Sequence, residues 1–327
     1  MKKLLAILIS VLTLGTMCFA TACNTADYTV GIVQLDKHDA LDAATQGFMD
    51  ALQEEMDKAG KTVKFDLQNA TGDVNLCSTI CNTFVKKQYD LIMANATPAL
   101  QAAYGATETI PILGTSVTEY GVALDIDNFT GTIGSNVSGT SDLANLESQA
   151  QMVIDLVPSA TKIGLLYCVN EPNSIYQVEI VEEYLKARGK TCMPYSFSDV
   201  SDLMTVVQKI VSEGMEAVYV PTDNTVAAYT GAVDNILRPA NIPVIAGEAG
   251  ICLGCGIATL SISYYGIGVK TGKMAAEILL EGKDIRTMPI SYDENPVYKY
   301  NAQICADLGI TVPNNYVVIE GTEVTGD

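Results

Sequence analysis

The stretch Thr29-Val30-Gly31-Ile32-Val33-Gln34-Leu35 runs on through Asp36-Lys37-His38-Asp39, and Leu41, Ala44, Phe48, Leu52 and Met56 then recur every three to four residues. A β-rich apolar run thus feeds, over a short loop, an amphipathic helix with Asp39 as its N-cap and Asp42 three residues on. That helix is expected to lay its apolar stripe on the strand's sheet. The unit then repeats. Val63 to Leu67, Leu91 to Ala94 and Ile110 to Leu113 read as further strands of the first half. Lys162 to Tyr167, Thr191 to Tyr195, Ala217 to Val220 and Val244 to Ala246 read as strands of the second, separated by helical runs near 172–188, 200–213 and 224–237. Strands alternating with helices imply parallel sheets covered by helices, here as two similar, Rossmann-like α/β lobes in succession.

The remaining punctuation suggests how the lobes connect. Gly131 to Ser141, rich in Gly, Ser and Asn, makes a natural first crossing. Ala258 to Ser263, before a helix from Tyr265 to Leu280, makes a second, and a third is placed near Asn295 to Tyr300. The expected division is 28–140 plus about 264–295 for one lobe and 141–263 plus about 296–327 for the other, a size that suits two cores of roughly 100 to 150 residues each.

The N-terminus carries different information. Lys2 and Lys3 precede the apolar run Leu4 to Ala20, and Ala20-Thr21-Ala22 leads directly into Cys23. Two cations, an apolar core shorter than the about 20 residues of a membrane span, and small residues before the cut describe a secretory signal. Cys23 at the cut is the residue that takes a lipid, so residues 1–22 read as a lipoprotein signal and 23–27 as a lipid-anchored linker. The expectation is an extracytoplasmic protein tethered to a membrane surface.

Removing residues 1–22 from the 327 leaves 305 residues, and losing Lys2 and Lys3 takes the net charge from -19 to about -21. Such acidity disfavours nucleic acid and anionic headgroups as partners. Cys77, Cys81, Cys168, Cys192, Cys252, Cys255 and Cys305 remain, an odd number, so at least one thiol stays unpaired within the chain. Buried free thiols suit Cys77, Cys81, Cys168 and Cys192, which sit in helical or strand-like runs. Cys252-Leu253-Gly254-Cys255 is open to a local disulfide or two free thiols, and a lone pair of this kind is a weak metal signal.

In open parallel sheets, ligands bind beyond the carboxyl ends of the strands. The loops there are Gln34 to His38, Asn95 to Pro98, Gly114 to Ser116, Asn170 to Ser174, Pro221 to Asn224 and Gly247 to Gly250. The first-half loops offer amides and hydroxyls where helices begin, and Thr97 before Pro98 is both a candidate N-cap and a hydroxyl donor suited to a carboxylate. Asp223 and Glu248 follow strands of the second half and suit an ammonium, although for either alone a solvated role fits as well. Donors on one lobe and carboxylates on the other describe a zwitterion held across a hinge, such as an α-amino acid. None of the three arginines falls in these loops, which argues against phosphate. His38 is the only histidine, so histidine metal clusters are excluded by count and any catalytic triad must use it. No cofactor is expected.

The chain resembles the ABC transporter substrate-binding proteins of the tryptophan/tyrosine type, from about Tyr28 to the C-terminus. The resemblance rests on Gly31-Ile32-Val33-Gln34 with His38 and Ala40-Leu41-Asp42, Gly47-Phe48, Asn69 with Gly72-Asp73, Asp90-Leu91-Ile92 with Thr97-Pro98-Ala99, and Gly134 with Asn136 to Asp142. Pro221-Thr222-Asp223-Asn224 and Tyr264-Tyr265 with Gly268, Gly272, Ala275, Ile278 and Leu279 complete it. It implies the type I periplasmic-binding-protein fold and a receptor that closes on a small ligand and presents it to a permease driven by an ATPase; a monomer is expected, because the cleft must open and its rims must meet the permease. Thr97 and Ser116 are then expected to hold a ligand carboxylate and Asp223 and Glu248 its ammonium, with Gln34, His38, Asn136, Asp142 and Asn224 completing a polar wall. Glu119-Tyr120 and Ser263 depart from the family pattern; a Tyr120 turned into the cleft would stack on an aromatic ligand or shrink the pocket. A sensing module for a membrane receptor, a sugar or nucleoside receptor and an extracellular hydrolase are the alternatives.

Overall fold

The computed structural model describes residues 26–293 and 295–319; the leader and Cys23 lie outside them. The quoted run is strand β1 (Tyr28–Gln34), paired in parallel with β2 (Val63–Asn69) on one side and β3 (Leu91–Asn95) on the other. β4 (Ile112–Val117) and β5 (Val137–Ser141) extend this sheet. The chain then builds a second sheet from β6 (Lys162–Cys168), β7 (Thr191–Phe197), β8 (Ala217–Val220), β9 (Val244–Ala246) and β10 (Ala258–Ser261). It returns to the first sheet for β11 (Ser291–Tyr292) and ends in the second with β12 (Val297–Tyr300) and β13 (Val317–Val318). The orders are β11-β5-β4-β3-β1-β2 and β13-β12-β10-β9-β8-β6-β7, parallel throughout except for the β10–β12 pair. Strands such as Leu91–Asn95 and Ala217–Val220 are buried at every position, as sheets covered on both faces require.

Each sheet with its helices forms a lobe with its own core. Helix α1 (Asp39–Lys58) seats Phe48, Leu52 and Met56 on one face of the first sheet. On the other face, Phe84 and Leu100 come from α2 (Val74–Lys86) and α3 (Thr97–Ala106), and Tyr120 comes from the short α4 (Tyr120–Leu124). The second sheet is covered by α5 (Leu146–Leu156), α6 (Pro172–Ala187), α7 (Val200–Ser212), α8 (Asn224–Ala228), α9 (Thr230–Leu237) and α10 (Ala249–Cys255). Helix α11 (Tyr264–Glu281) leaves the second sheet and packs on α1 of the first lobe, and α12 (Ala302–Asp307) follows β12. Among the described residues no helix is long and apolar enough to cross a membrane.

Several sequence expectations are corrected. His38, not Asp39, is the N-cap of α1, and Ala96, not Thr97, is that of α3. The run 224–237 is two helices, interrupted at Tyr229, whose φ of -126° is not helical. Gly131–Ser141 is not a crossing throughout, because Val137–Ser141 is a strand of the first sheet. A Cβ on Gly139, whose φ is 147°, would stand 2.1 Å from the Gly114 carbonyl, so glycine there permits strand contact and does not mark a linker. Likewise Ala258–Ser261 and Val297–Tyr300 belong to the second sheet, which leaves the chain crossing just after each of Ser141, Ser261 and Tyr292. Tyr120 lies in the lobe core, buried, its hydroxyl donating to the Thr140 carbonyl at 3.0 Å, and it does not reach the cleft.

The packing of α11 on α1 depends on glycine. A Cβ on Gly268 would stand 2.1 Å from the Ala44 carbonyl oxygen, and one on Gly272 2.5 Å from that of Phe48. Gly268→Ala is therefore expected to destabilise by about 1–3 kcal/mol through overpacking, read as a lower midpoint in urea unfolding. Gly105→Ala, at an exposed helical position with nothing within 4 Å, is expected to be neutral or to stabilise by up to about 1 kcal/mol.

Candidate ligand site between the lobes

The carboxyl ends of the two sheets face one another across a small cavity. The first lobe lines it with His38, Leu41 and Ser116, and with Asp142 just past β5. The second lobe contributes Thr222, Asp223, Asn224, Ala227 and Glu248, and Tyr264 enters from the start of α11. The enclosed space is about 10 Å³, room for about one water. Beside it a groove of about 270 Å³ runs past Lys37, Asp39 and Thr230, sharing His38, Ala227 and Glu248 with the cavity. Direct hydrogen bonds already join the lobes: His38 Nε2 lies 3.2 Å from Asn224 Oδ1, and the Thr118 and Thr222 hydroxyls lie 3.3 Å apart. Gln177 on α6 donates to both of those hydroxyls.

Six of the nine residues expected at the site line this cavity: His38, Ser116, Asp142, Asp223, Asn224 and Glu248. Three do not. Gln34, 3% exposed, is used up behind it, donating to the Asp36 carbonyl and Asp42 Oδ1 and accepting from the Thr45 hydroxyl. Thr97 is buried as the first residue of α3 and is not among the lining residues. Asn136 stands before β5, at the opposite end of the strand from the cavity, where its amide donates to the Thr107 and Ile110 carbonyls and ties down the loop ahead of β4. Its motif position had suggested a cleft residue; the direction of β5 puts it elsewhere.

The carboxylates of the cavity differ in what they have left to give. Asp223 caps α8 and takes hydrogen bonds from the Cys168 and Val226 amides (2.7 and 2.9 Å) and the Ser174 hydroxyl (2.8 Å). Glu248 caps α10 through the Gly250 and Ile251 amides. Asp142 is different: Oδ2 accepts from the Tyr264 hydroxyl at 2.9 Å, but Oδ1 is buried without a hydrogen-bond partner. The hydroxyl of Ser116, on the same cavity at a φ of 53°, is also buried and unpartnered. These are the two fully buried side-chain oxygens of the cavity wall that have no hydrogen-bond partner.

No lysine or arginine lines the cavity, so its acids are charged only at a cost. Burial raises the pKa of Asp142, and the Tyr264 hydroxyl, with the Thr118 hydroxyl and the Asp142 backbone amide, offsets this in part. Burial likewise raises Asp223, with the Glu171 carboxylate adding to it, and pushes Glu248 up to about 7 against the pull of the two backbone amides. Burial also holds the His38 pKa below 6.5. An ammonium is the charge this wall lacks.

Sequence reasoning missed Thr118 and Gln177 among the lobe-to-lobe contacts, Glu171 behind Asn224, and Tyr264 and Thr222 among the lining residues. Glu171 and Thr222 lay in loops already singled out, and Tyr264 opens a helix. Gln177 gave no local signal, since it stands in mid-helix. Cys252 and Cys255 are free, as are the other five cysteines among the described residues.

A family model described as ABC transporter substrate binding protein matches residues 29–324. A tyrosine-binding protein of Clostridioides difficile (strain R20291) is 36% identical over 265 residues, which is 80% of this chain and 75% of that protein. Among solved structures, an ABC domain in complex with L-Trp from Streptococcus pneumonia matches with a TM-score of 0.83 at 28% identity, over 89% of this chain and 99% of that one. A ligand-free, open substrate binding protein with adhesive properties from Clostridium difficile matches with a TM-score of 0.67 at 33% identity, over 90% and 100%. The ligand-bound structure superposes better although it is the more distant in sequence, in keeping with lobes that meet across the cavity here.

The raised carboxylates set the sign of a pH effect. A carboxylate whose pKa rises on folding binds more protons folded than unfolded, so its stabilising contribution is complete below its ordinary pKa and is lost as the pH climbs through the folded one. For Glu248 the loss runs from about pH 4.5 to about 7 and is on the order of 3 kcal/mol; Asp223 and Asp142 act in the same direction. The protein alone is expected to melt at progressively lower temperature from pH 5 to 8. Glu248→Gln should flatten that slope, and a slope unchanged in the variant would remove Glu248 as its source.

Proposed function

The chain belongs to the ABC transporter substrate-binding proteins, which bind and do not catalyse, and from that premise we propose that it captures a free aromatic amino acid, tyrosine or tryptophan, between its lobes for import. The observation that carries this reading is Asp142 Oδ1, a buried carboxylate oxygen without a partner on a wall that holds no cation. An ammonium placed there makes a charge-assisted hydrogen bond and relieves the repulsion with Glu248. Ser116, whose hydroxyl is likewise unspent, faces the ligand carboxylate. Asp223 and Glu248, expected from sequence to bind the ammonium directly, act through their field, since their oxygens already cap helices. A tyrosine-binding relative and a tryptophan-bound structural neighbour support the aromatic side chain.

A space of about 10 Å³ admits no amino acid, so entry requires the lobes to part and capture requires them to close, the differential contact by which a ligand shifts such an equilibrium. The moving bodies are the two lobes, divided at the crossings just after Ser141, Ser261 and Tyr292. In this reading Cys23 carries a lipid that tethers the monomer outside the cytoplasm, and the closed form presents ligand to a permease and, through it, an ATPase.

Titration calorimetry of the protein from Asn24 onward, refolded to strip bound ligand, tests the reading. Tyrosine or tryptophan is expected to bind and glucose or ribose not to. Asp142→Asn is expected to weaken amino-acid binding about 10- to 100-fold, the value of a hydrogen bond to a charged group. Undiminished affinity in that variant would refute the ammonium assignment, and binding of sugars alone would refute the amino-acid reading.

A further inference from the structure

Glu171 does not line the cavity, and although it stands at the N-cap position of α6 its side chain makes no bond to that helix; it is a 4% exposed carboxylate whose donors include two first-turn amides of α8. Its Oε2 accepts from the Asn224 backbone amide at 2.9 Å and from Asn224 Nδ2 at 2.7 Å. Its Oε1 accepts from the Thr225 amide and hydroxyl, both at 2.9 Å. Both Glu171 oxygens thus act as acceptors, so the side-chain amide of Asn224 turns its NH2 toward Glu171 and its oxygen the other way. The oxygen then faces His38 Nε2 of the opposite lobe, 3.2 Å off. An amide oxygen cannot donate, so Nε2 carries the hydrogen, and in the neutral ring that burial favours Nδ1 is the bare nitrogen.

We propose that Glu171 is the positioning residue of a lobe-to-lobe latch: by fixing the Asn224 amide it makes His38 the donor across the cleft, and ligand escapes only when that bond breaks. The proposal deepens the binding function above and rests on it for the ligand, but the hydrogen bond itself is read independently. Because the bond forms between lobes already brought together, it acts on departure more than on arrival. Glu171 is a residue that never meets the ligand but sets how long it stays.

His38 is the only histidine, so a tag-free, ¹⁵N-labelled sample gives a single imidazole in a long-range ¹H–¹⁵N spectrum. The expected ring, with or without tyrosine, is protonated at Nε2 and bare at Nδ1, and the Asn224 side-chain NH2 is expected to exchange slowly with solvent. Glu171→Gln supplies an NH2 of its own and frees Asn224 to turn. It should shift the ring toward the other tautomer and raise the tyrosine dissociation rate, followed by stopped flow, about five- to twenty-fold, with the association rate within twofold. His38→Ala should raise dissociation by the same factor, and the double variant no further, as members of one bond require. A parent ring protonated at Nδ1, a freely exchanging Asn224 NH2, or multiplicative effects in the double variant would each overturn the latch, the first two without relying on a variant that folds. A parent that binds no amino acid but keeps the Nε2–H ring and its response to Glu171→Gln would instead overturn the ligand and leave the latch standing.

Discussion

The helix by which the chain returns from the second lobe is held in the first by one close contact, the seam between α1 and α11. Helix α11 leaves the second sheet and lies on the first, and backbone reaches backbone there because Gly268 and Gly272 present no side chain to the Ala44 and Phe48 carbonyls. Gly47 does the same from the other side, against the Tyr265 carbonyl. The seam carries Tyr264 at its head, and Tyr264 is the residue that engages Asp142. Thus the packing that seats the returning helix also aims the acidic side chain of the cavity wall that keeps an unpaired oxygen. Interior contacts at this density leave little slack, and a shift of α11 would be felt at the site.

Much of the architecture was legible because parallel sheets announce themselves. Fully buried strands such as Leu91–Asn95 read as unbroken apolar runs, and α1 shows its three-to-four spacing plainly. What misled was glycine. The Gly-rich segment before Ser141 looks like a linker, yet its last five residues are a strand, because the Tyr120 phenol needs the space over Gly114 and Gly139 that a Cβ would fill. A local reading has no access to a tyrosine folding back from twenty residues away.

The site was legible as a place and less so as chemistry. Loops after parallel strands supplied six of the nine expected residues, since that follows from topology alone. Asn136 failed because a motif does not say which end of a strand it occupies. Asp223 and Glu248 were read as ligand groups, when the first demand on each is the bare amides of a helix it begins. A carboxylate after a strand and before a helix serves the helix unless it has oxygens to spare. Asp142 precedes no helix directly and keeps one free.

The free thiols have a use that their chemistry makes available. No disulfide links any of the seven described cysteines, and burial pushes Cys77, Cys81 and Cys168 up to about 12 and Cys192 and Cys305 to about 11, with Cys252 and Cys255 raised further. The native protein therefore offers an alkylating reagent almost no thiolate. Each cysteine becomes reactive only when its surroundings open, and the seven are unevenly shared: two in α2 of the first lobe and five in the second. The number of alkyl groups counted by mass spectrometry on a partly unfolded molecule thus tells which lobe has come apart, a two-channel recorder of local unfolding written into the chain without any label added.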